Sequence, residues 1–175
     1  MYHEIHTARL TLRPLDISDA ETVHEYASDD ENTTYMYFLP NCTMEETKTF
    51  LEYVTSEWKK DKPATYEFAV VLEGRQIGAV SVALNDDRTE GEMGWIINKR
   101  YWHKGFAYEA ACAVRDFALN ELMLPRLIAQ CDYRNADSYR LMEKLGFTLE
   151  DANGTRTYPK TGENACELTY SLTRH

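Results

Sequence analysis

The sequence has little of what marks several large classes of protein. Its apolar runs stay well short of the roughly 18 residues that a membrane-spanning helix needs. Its 4 cysteines are scattered without a CxxC pair or a CxH spacing, which argues against a zinc site and favours free thiols in a reducing compartment. Residues 1–6 contain neither the basic region nor the apolar stretch of a signal peptide. We therefore expect a cytoplasmic protein with no metal and no membrane contact.

Basic residues are also scarce. Lys and Arg number 19 against 29 Asp and Glu, which gives a formal net charge of -10 at pH 7. A surface of this sign repels nucleic-acid phosphates, so nucleic-acid binding is disfavoured, whereas a cationic or amine-bearing substrate is compatible with it. With 43% hydrophobic residues the chain can bury a core of its own, and it contains no repeat or low-complexity tract. We expect one domain over residues 1–175.

The first third of the chain predicts one strand and two helices. Residues 8–14 alternate polar and apolar side chains, as a strand with one buried face does. The pairs Ser18–Glu21 and Thr43–Glu46 both have the spacing of a capping box, so each predicts the start of a helix. The polar, tyrosine-rich stretch 29–41 between these helices is predicted to be a loop.

The rest of the chain predicts six strands and two more helices. Gly105 introduces a long helix with an apolar, alanine-rich stripe, and Asn135 opens a short helix that ends at Gly146. The pair Asn153-Gly154 predicts a loop between the last two strands. Segments rich in β-branched and aromatic residues predict strands at Tyr66–Leu72, Gln76–Leu84, Gly91–Ile97, Leu127–Cys131, Phe147–Glu150 and Ala165–Leu172. These elements together describe an α+β or mixed α/β sheet with helices on its faces.

The turn that contains Gly105 has the composition of an anion site. A strand ending at Ile97 leads into a basic turn, and the turn leads directly into a helix. The first N–H groups of a helix have no internal partner, and the helix dipole adds positive potential there, so a pyrophosphate would be bound well. Lys104 and Arg100 add positive charge. On spacing alone an ordinary strand–helix turn also explains the segment, while GxGxxG and GxxxxGK[ST] motifs are absent.

A second segment of interest begins at Asn135. This residue has the position of a helix N-cap, and Ser138 lies one turn later on nearly the same face. An asparagine that does no more than cap its own helix is the alternative interpretation.

Taken in order, these segments resemble the GNAT superfamily of acetyl-coenzyme A-dependent N-acetyltransferases. More narrowly, they are similar to its RimJ/RimL-like branch. Residues 102–110, WHKGFAYEA, are similar to W-G-K-G-Y-A-T-E-A of that branch, and residues 135–147, NADSYRLMEKLGF, to N-x-x-S-x-x-[VL]-[LM]-E-K-[LA]-G-F. Residues 7–15, TARLTLRPL, resemble its opening T-x-R-L-x-L-R-x-[LW]. The resemblance covers almost the whole chain.

The resemblance implies the acyl-coenzyme A N-acyltransferase fold and a mode of donor binding. The fold would be a twisted, mostly antiparallel sheet of six to seven strands flanked by about four helices. Its fourth and fifth strands, here Gly91–Ile97 and residues 127–132, would splay apart around the acetyl-pantetheine arm. The implied contacts to acetyl-coenzyme A are the backbone of Trp95, Ile96 and Ile97 for the pantetheine amides, the turn of His103, Lys104, Gly105, Phe106, Ala107 and Tyr108 for the pyrophosphate, and Asn135 and Ser138 for the arm and the thioester.

The resemblance also implies direct attack by a primary amine, either a protein N-terminal α-amine or a small-molecule amine, in a ternary complex. Ser138 would protonate the leaving thiolate. Because the amine must lose a proton, a base is needed, and Glu92 is the first candidate since it shares a strand face with Gly94 and Ile96. An exposed glutamate at a strand edge is the alternative interpretation of Glu92, and Asp132 and Glu67 are weaker candidates.

The sequence departs from the family pattern at two positions. Met142 stands where many members carry a tyrosine acid, so that route of protonation is closed. His103 stands at a glycine of the turn, where it either contacts phosphate or points into solvent. The loop with Tyr35, Tyr37 and Phe38 would cover the acceptor site, where its rings would either hold the acceptor or fasten two helices to the sheet.

Two other functions remain compatible with the same fold. One is a non-catalytic module that senses acyl-coenzyme A, and the other is a transferase that uses a different acyl-coenzyme A. The expected partners are acetyl-coenzyme A and an amine acceptor, and the expected assembly is a monomer or a homodimer.

Overall fold

A computed structural model of the chain describes residues 4–174. Residues 1–3, which belong to the segment considered for a signal peptide, and His175 lie outside the described residues. The strands are β1 (Ile5–His6), β2 (Thr11–Pro14), β3 (Thr65–Leu72), β4 (Arg75–Leu84), β5 (Glu90–Ile97), β6 (Arg126–Asp132), β7 (Thr148–Thr157) and β8 (Asn164–Thr173). The helices are α1 (Ala20–Ala27), α2 (Asp30–Thr33), α3 (Met44–Glu57), α4 (Phe106–Asn120) and α5 (Ala136–Lys144).

All described strands form one sheet in the order β1-β2-β3-β4-β5-β6-β8-β7. Every neighbouring pair is antiparallel except β5 and β6, which run parallel. Residues 4–174 thus hold eight strands, more than the six to seven predicted. The first predicted strand is divided, because a turn closed by the bond from Thr7 N to Leu10 O (2.9 Å) separates β1 from β2.

Helices cover both faces of the sheet, as the predicted mixed α/β class requires. On one face, α1 and α3 bury a cluster with Ala69 and Ala79 of the central strands. On the other, α4 and α5 bury a larger cluster in which the small side chains Ala110 and Ala111 bring α4 close to the sheet. Strand alternation separates the two clusters along β5. None of the helices in residues 4–174 combines the length and the apolar character needed to cross a bilayer.

One predicted helix start is wrong and the other is confirmed. The cap before α1 is Asp16, whose side chain accepts from Ser18 N at 2.7 Å, and a 3-10 turn over Ile17–Asp19 precedes the helix. Asp19 closes this capping box and also holds Arg13 at 2.7 Å, so Ser18 and Glu21 are not the capping pair. At the second position, Thr43 and Glu46 form the predicted capping box of α3.

Two predicted loops contain regular structure. The stretch 29–41 includes α2, which spans only four residues and is therefore too short to show a helical apolar period. The pair Asn153-Gly154 lies within β7 rather than in a loop. There Gly154 pairs with Glu167 beside a shift in register, and an added Cβ would sit 2.9 Å from the Glu167 carbonyl oxygen. A glycine in such a place marks an irregularity of the strand as well as a turn, so the sequence signal was ambiguous.

Candidate functional site

The most distinctive feature of the sheet is the early divergence of β5 and β6. These strands pair at three positions only, Glu90 with Arg126, Gly91 with Leu127 and Glu92 with Ile128. Arg126 fastens this closed end through ion pairs with Glu90 and Glu150. Beyond Glu92 a gap opens between the two strands, which confirms the predicted splay. Because the facing backbone edges do not pair with each other there, an extended ligand can bind them as a strand partner would.

The far end of β5 is fixed by a residue that the sequence did not reveal. Asn32 of α2, 7% exposed, donates from its side chain to the Ile97 carbonyl (3.0 Å) and accepts from Lys99 N (2.6 Å). Trp102 Nε1 donates to the same carbonyl at 2.7 Å. A carbonyl oxygen has two acceptor sites, so that of Ile97 is already satisfied. Asn98 N donates to Ile77 O of β4 at 2.8 Å, so by alternation the Ile96 backbone also faces β4, where it pairs with Ala79. The predicted backbone contacts of a ligand in the gap therefore fall to Trp95 and the Ile97 N–H rather than to Ile96 or the Ile97 carbonyl.

The turn after β5 has the backbone of an anion site. His103 and Gly105 both adopt left-handed conformations, with φ of 58° and 81°. Gly105 is the N-cap of α4, and its lack of a side chain leaves the first N–H groups of the helix without a side-chain cap. The φ of His103 gives the physical reason why a glycine suits this position. Its side chain and that of Lys104 are exposed, while Phe106 is buried in the core and presents only its backbone to the turn.

An arginine from the opposite end of the chain braces this turn. Arg9 donates to Glu109 of α4 at 2.7 Å and to the Lys104 carbonyl at 3.0 Å, and its guanidinium lies 4.5 Å from the centre of the Phe106 ring. Thr7 also donates to Glu109, at 2.6 Å. The contact joins residues 100 positions apart, so no local pattern predicts it. The signal was present all the same, because Thr7, Arg9 and Glu109 belong to two of the quoted motifs.

A shallow groove of about 480 Å³ lies beside the turn, and its lining includes Arg9, Gly105 and Tyr108. Another open groove, of about 520 Å³, lies on the outer hairpin next to Tyr133 and Gly154. The first groove adjoins the predicted pyrophosphate turn, whereas the second opens on the β7–β8 hairpin, so the groove at the turn is the one relevant to donor binding.

One wall of the gap carries Ser138. Asn135 caps α5 by accepting from Ser138 N at 3.3 Å, as predicted. The half-buried Ser138 hydroxyl lies close enough to the thiol of Cys131 on β6 to lower its pKa, which places it on the α4–α5 side of the sheet. Burial raises the pKa of Cys131 to about 11, so this thiol stays protonated and is a poor nucleophile. Met142 is 1% exposed and belongs to the core.

The opposite side of the sheet carries a polar row across three strands. Glu67 of β3 lies opposite Ser81 of β4, and Ser81 lies opposite Gly94 of β5. Burial raises the pKa of Glu67 to about 7, and the Ser81 hydroxyl across the strand pair opposes this only in part. All three residues are half-buried, so the row lies in a cleft that α1 and α3 leave uncovered.

Glu92 lies on the same side of the sheet, next to the gap. Ile96 packs against the α1–α3 cluster while Met93 and Ile97 pack on the other side, so the predicted common face of Glu92, Gly94 and Ile96 is confirmed. The side chain of Glu92 is exposed. Desolvation by surrounding protein atoms raises the pKa of Glu92 most, and the negative charge of Glu167 raises it further. The positive charge of Arg156 opposes the increase.

Asp132 has the environment of a structural carboxylate. It is fully buried and accepts hydrogen bonds from Arg134 at 2.6 Å and from Tyr158 at 2.7 Å. Burial alone would raise the pKa of this carboxyl, but the hydrogen bonds from Arg134 and Tyr158 lower the pKa to about 2. A carboxylate this acidic is a weak proton acceptor at neutral pH.

The aromatic loop is attached to the β7–β8 hairpin. Arg134 lies 5.7 Å from the Tyr35 ring, and Arg156 lies 5.8 Å from the Tyr37 ring. Arg156, which the sequence did not single out, is buried and paired with Glu167 at 2.8 Å. Phe38 is 71% exposed. Asn32 of α2 contacts the end of β5, and Tyr37 of the loop that follows contacts Arg156 of β7, so the chain crosses the gap here. The rings therefore fasten the loop to the hairpin rather than two helices to the sheet.

Comparisons with known proteins agree on one family. The family model described as "Acetyltransferase (GNAT) domain" matches residues 9–148. The chain is 33% identical over 150 residues to the uncharacterized N-acetyltransferase YnaD of Bacillus subtilis (strain 168), with 83% of each chain covered. It is similar to a GNAT-family acetyltransferase structure from Bacillus anthracis, with a TM-score of 0.84, 31% identity and 98% of each chain covered. A RimL ribosomal L7/L12 α-N-acetyltransferase solved with coenzyme A has a TM-score of 0.82 at 16% identity, with 98% of each chain covered, and shares the fold.

The turn yields a prediction about Gly105. Gly105→Ala should lower the free energy of unfolding by about 1–2 kcal/mol, because an L side chain is strained at positive φ, and additionally because its Cβ would lie 3.3 Å from Arg9 Nη2. Gly74→Ala is the matched control, since Gly74 has nearly the same φ (82°) with no atom within 4 Å of an added Cβ. Urea unfolding of both variants, with and without Arg9→Ala, measures the difference. An equal loss in both variants would show that Arg9 does not crowd the turn.

Proposed function

The chain belongs to the GNAT family of acetyltransferases, and from this membership we propose that it transfers an acetyl group from acetyl-coenzyme A to a primary amine by direct attack in a ternary complex. The observation that supports this most strongly is the gap between β5 and β6. It has a helix N-terminus at its open end and Ser138 on its wall. An acyl-coenzyme A has the matching parts, namely a pyrophosphate, an extended amide-bearing arm and a thioester.

The residues around the gap fit the donor. The uncapped N–H groups after Gly105 suit the pyrophosphate, and Lys104 adds positive charge beside them, while Arg9, whose charge is paired with Glu109, braces the turn. The backbone of Trp95 and the Ile97 N–H suit the two amides of the arm, since they face the gap in the stretch of β5 that does not pair with β6. The RimL relative is described as holding coenzyme A, which supports the same assignment for this chain.

Ser138 is proposed to supply the proton that the sulfur requires. The amine nitrogen forms a bond to the carbonyl carbon, the carbon–sulfur bond breaks, and the thiolate takes a proton from the Ser138 hydroxyl, which regains one from solvent. Met142 offers no proton and Cys131 is only 3% exposed, whereas Ser138 is half-buried, so Ser138 is the polar group of this wall that a bound sulfur can reach. A donor placed at the developing charge stabilises the transition state more than the bound substrate.

The acceptor is proposed to be a cationic amine, either a peptide N-terminus or a small molecule. It would enter from the α1–α3 side, where Glu67, Glu92 and Glu167 outnumber Arg156 around the cleft. The loop that crosses the gap carries the rings of Tyr35, Tyr37 and Phe38, which offer the acceptor apolar contact. The overall charge of -10 favours acceptors of the opposite sign.

The proposed activity predicts both donor binding and turnover. Calorimetry should show acetyl-coenzyme A binding with a Kd in the micromolar range, because the affinities of enzymes for such substrates commonly lie between about 1 µM and 1 mM. Thiol release should then rise on addition of at least one amine from a panel of peptides, polyamines, amino sugars and amino acids. Binding without turnover on any amine would favour a sensor of acyl-coenzyme A. Succinyl-coenzyme A as the better donor would indicate a different acyl group, and no binding would contradict the proposal.

Ser138→Ala should separate catalysis from binding. Loss of the proton donor is expected to lower kcat by about 10²-fold or more, the range typical of a positioned acid. The Kd for acetyl-coenzyme A should change less than about threefold, because the backbone makes most of the proposed donor contacts. Ser28→Ala at the exposed end of α1 serves as the control and should leave both values unchanged. An unaltered kcat in Ser138→Ala would remove this residue from the mechanism.

A further inference from the structure

Glu67 is an unusual residue for the middle of a sheet. It lies on β3, two strands from the gap, with apolar neighbours in sequence and Ala69 of the α1–α3 cluster on its own face. A carboxylate in such a place loses hydration, and the uncharged hydroxyl of Ser81, its partner across the strand pair, compensates only in part. The buried carboxylates Asp19, Glu57 and Asp132 are each paired with a basic side chain. Glu67 therefore calls for a different explanation.

The row from Glu67 leads towards the gap. Ser81 Oγ would lie 3.2 Å from a Cβ at position 94, so the hydroxyl stands directly over the Gly94 backbone. Any side chain at position 94 would cover the hydroxyl on the side that faces the gap. The absence of a side chain at Gly94 leaves the oxygen of Ser81 open to a ligand that approaches along β5. The splay begins just before Gly94, at Glu92.

We propose that Ser81 and Glu67 form the proton relay of the acceptor side: the Ser81 hydroxyl contacts the attacking amine, and the Glu67 carboxylate holds the proton that the amine loses. This inference rests on the proposed function, since it assumes an amine at the gap. As the carbon–nitrogen bond forms, an amine proton passes to Ser81 Oγ and the Ser81 proton passes to Glu67. The carbon–sulfur bond breaks, the thiolate takes its proton from Ser138, and Glu67 then releases its proton to solvent.

The relay explains the acceptor side better than the other carboxylates do. Glu92 lies two residues before Gly94 on β5, opposite Ala83. Its side chain is exposed, and the charged groups that act on it include Arg156 and Glu167. Asp132 is committed to Arg134 and Tyr158. A proton acceptor works best when its pKa is close to the working pH, and the pKa of about 7 for Glu67 satisfies this condition.

Few other groups around Glu67 would confuse its titration. On α1, burial and to a smaller extent the charge of Glu67 raise the pKa of Tyr26, so that phenol stays neutral in the neutral pH range. The Trp58 indole, just after α3, and Leu15 N, just after β2, donate to the Glu67 carbonyl and do not titrate. On β4 the neighbour is Ser81, and on β5 it is Gly94, with Glu92 beyond it.

Glu67→Gln tests the relay through the pH dependence of kcat/KM for the amine. The wild type should lose activity as the pH falls, with an apparent pKa of about 7. Glu67→Gln should lower kcat by about 10²-fold and abolish this loss of activity at low pH, the acid limb of the profile. Ser81→Ala should lower kcat in the same way, while the Kd for acetyl-coenzyme A stays unchanged in both variants. Glu73→Gln, an exposed residue of the neighbouring β3–β4 turn, is the matched control and should behave as the wild type.

Thermal unfolding gives a second readout that does not depend on activity. A carboxyl whose pKa is raised in the folded state stabilises the fold below its unfolded pKa of 4.5, and that contribution is lost as the pH rises through about 7. The melting temperature of Glu67→Gln relative to the wild type should therefore increase between pH 5 and pH 8. The same comparison for Glu73→Gln should be flat.

The outcomes separate this inference from the proposed function. No acetyl transfer by the wild type would overturn both. Transfer by the wild type, with Glu67→Gln or Ser81→Ala keeping both kcat and the acid limb, would overturn the relay alone. Loss of the acid limb in Glu92→Gln with its retention in Glu67→Gln would assign the proton to Glu92 instead.

Discussion

The divergence of β5 and β6 after three paired residues is the constraint on which the rest of the structure depends. A parallel pair that continued to the ends of both strands would bury the backbone groups of Trp95 in a ladder. The gap is held open from both ends, since Arg126 closes it at Glu90 while Asn32 and Trp102 fix the last carbonyl of β5. The strand can therefore keep an unpaired edge without losing its position.

The alternation of side chains along β5 then assigns different chemistry to the two sides of the gap. Residues that face α4 and α5 contribute to the core around Cys131, and Ser138 lies over that side. Residues that face α1 and α3 include Gly94, which lies beside Ser81 and Glu67. The proposed proton donor, Ser138, and the proposed proton acceptor, Glu67, thus lie on opposite sides of one strand. In the proposed reaction this separation lets the amine and the leaving sulfur exchange protons with different groups.

Local sequence signals predicted the elements, whereas contacts between distant segments had to be seen in the structure. The box at Thr43 and the cap at Asn135 are confirmed because each cap is complete within four residues. The resemblance to a family supplied the splay. The clamp between Arg9 and Glu109 and the row from Glu67 depend on strand register, which alternation alone does not fix. Asn32 was hidden by the shortness of α2.

Amide hydrogen exchange with and without coenzyme A tests most directly whether the gap between β5 and β6 holds the acyl donor. Coenzyme A should slow exchange within residues 94–97, at the Trp95 and Ile97 amides, and within residues 103–108, because these amides lie along the unpaired edge of β5 and at the start of α4. The amides around Tyr133 and Gly154, which line the outer groove, should exchange as before. Protection confined to that groove, with none at residues 94–97, would show that the gap between β5 and β6 does not hold the acyl donor.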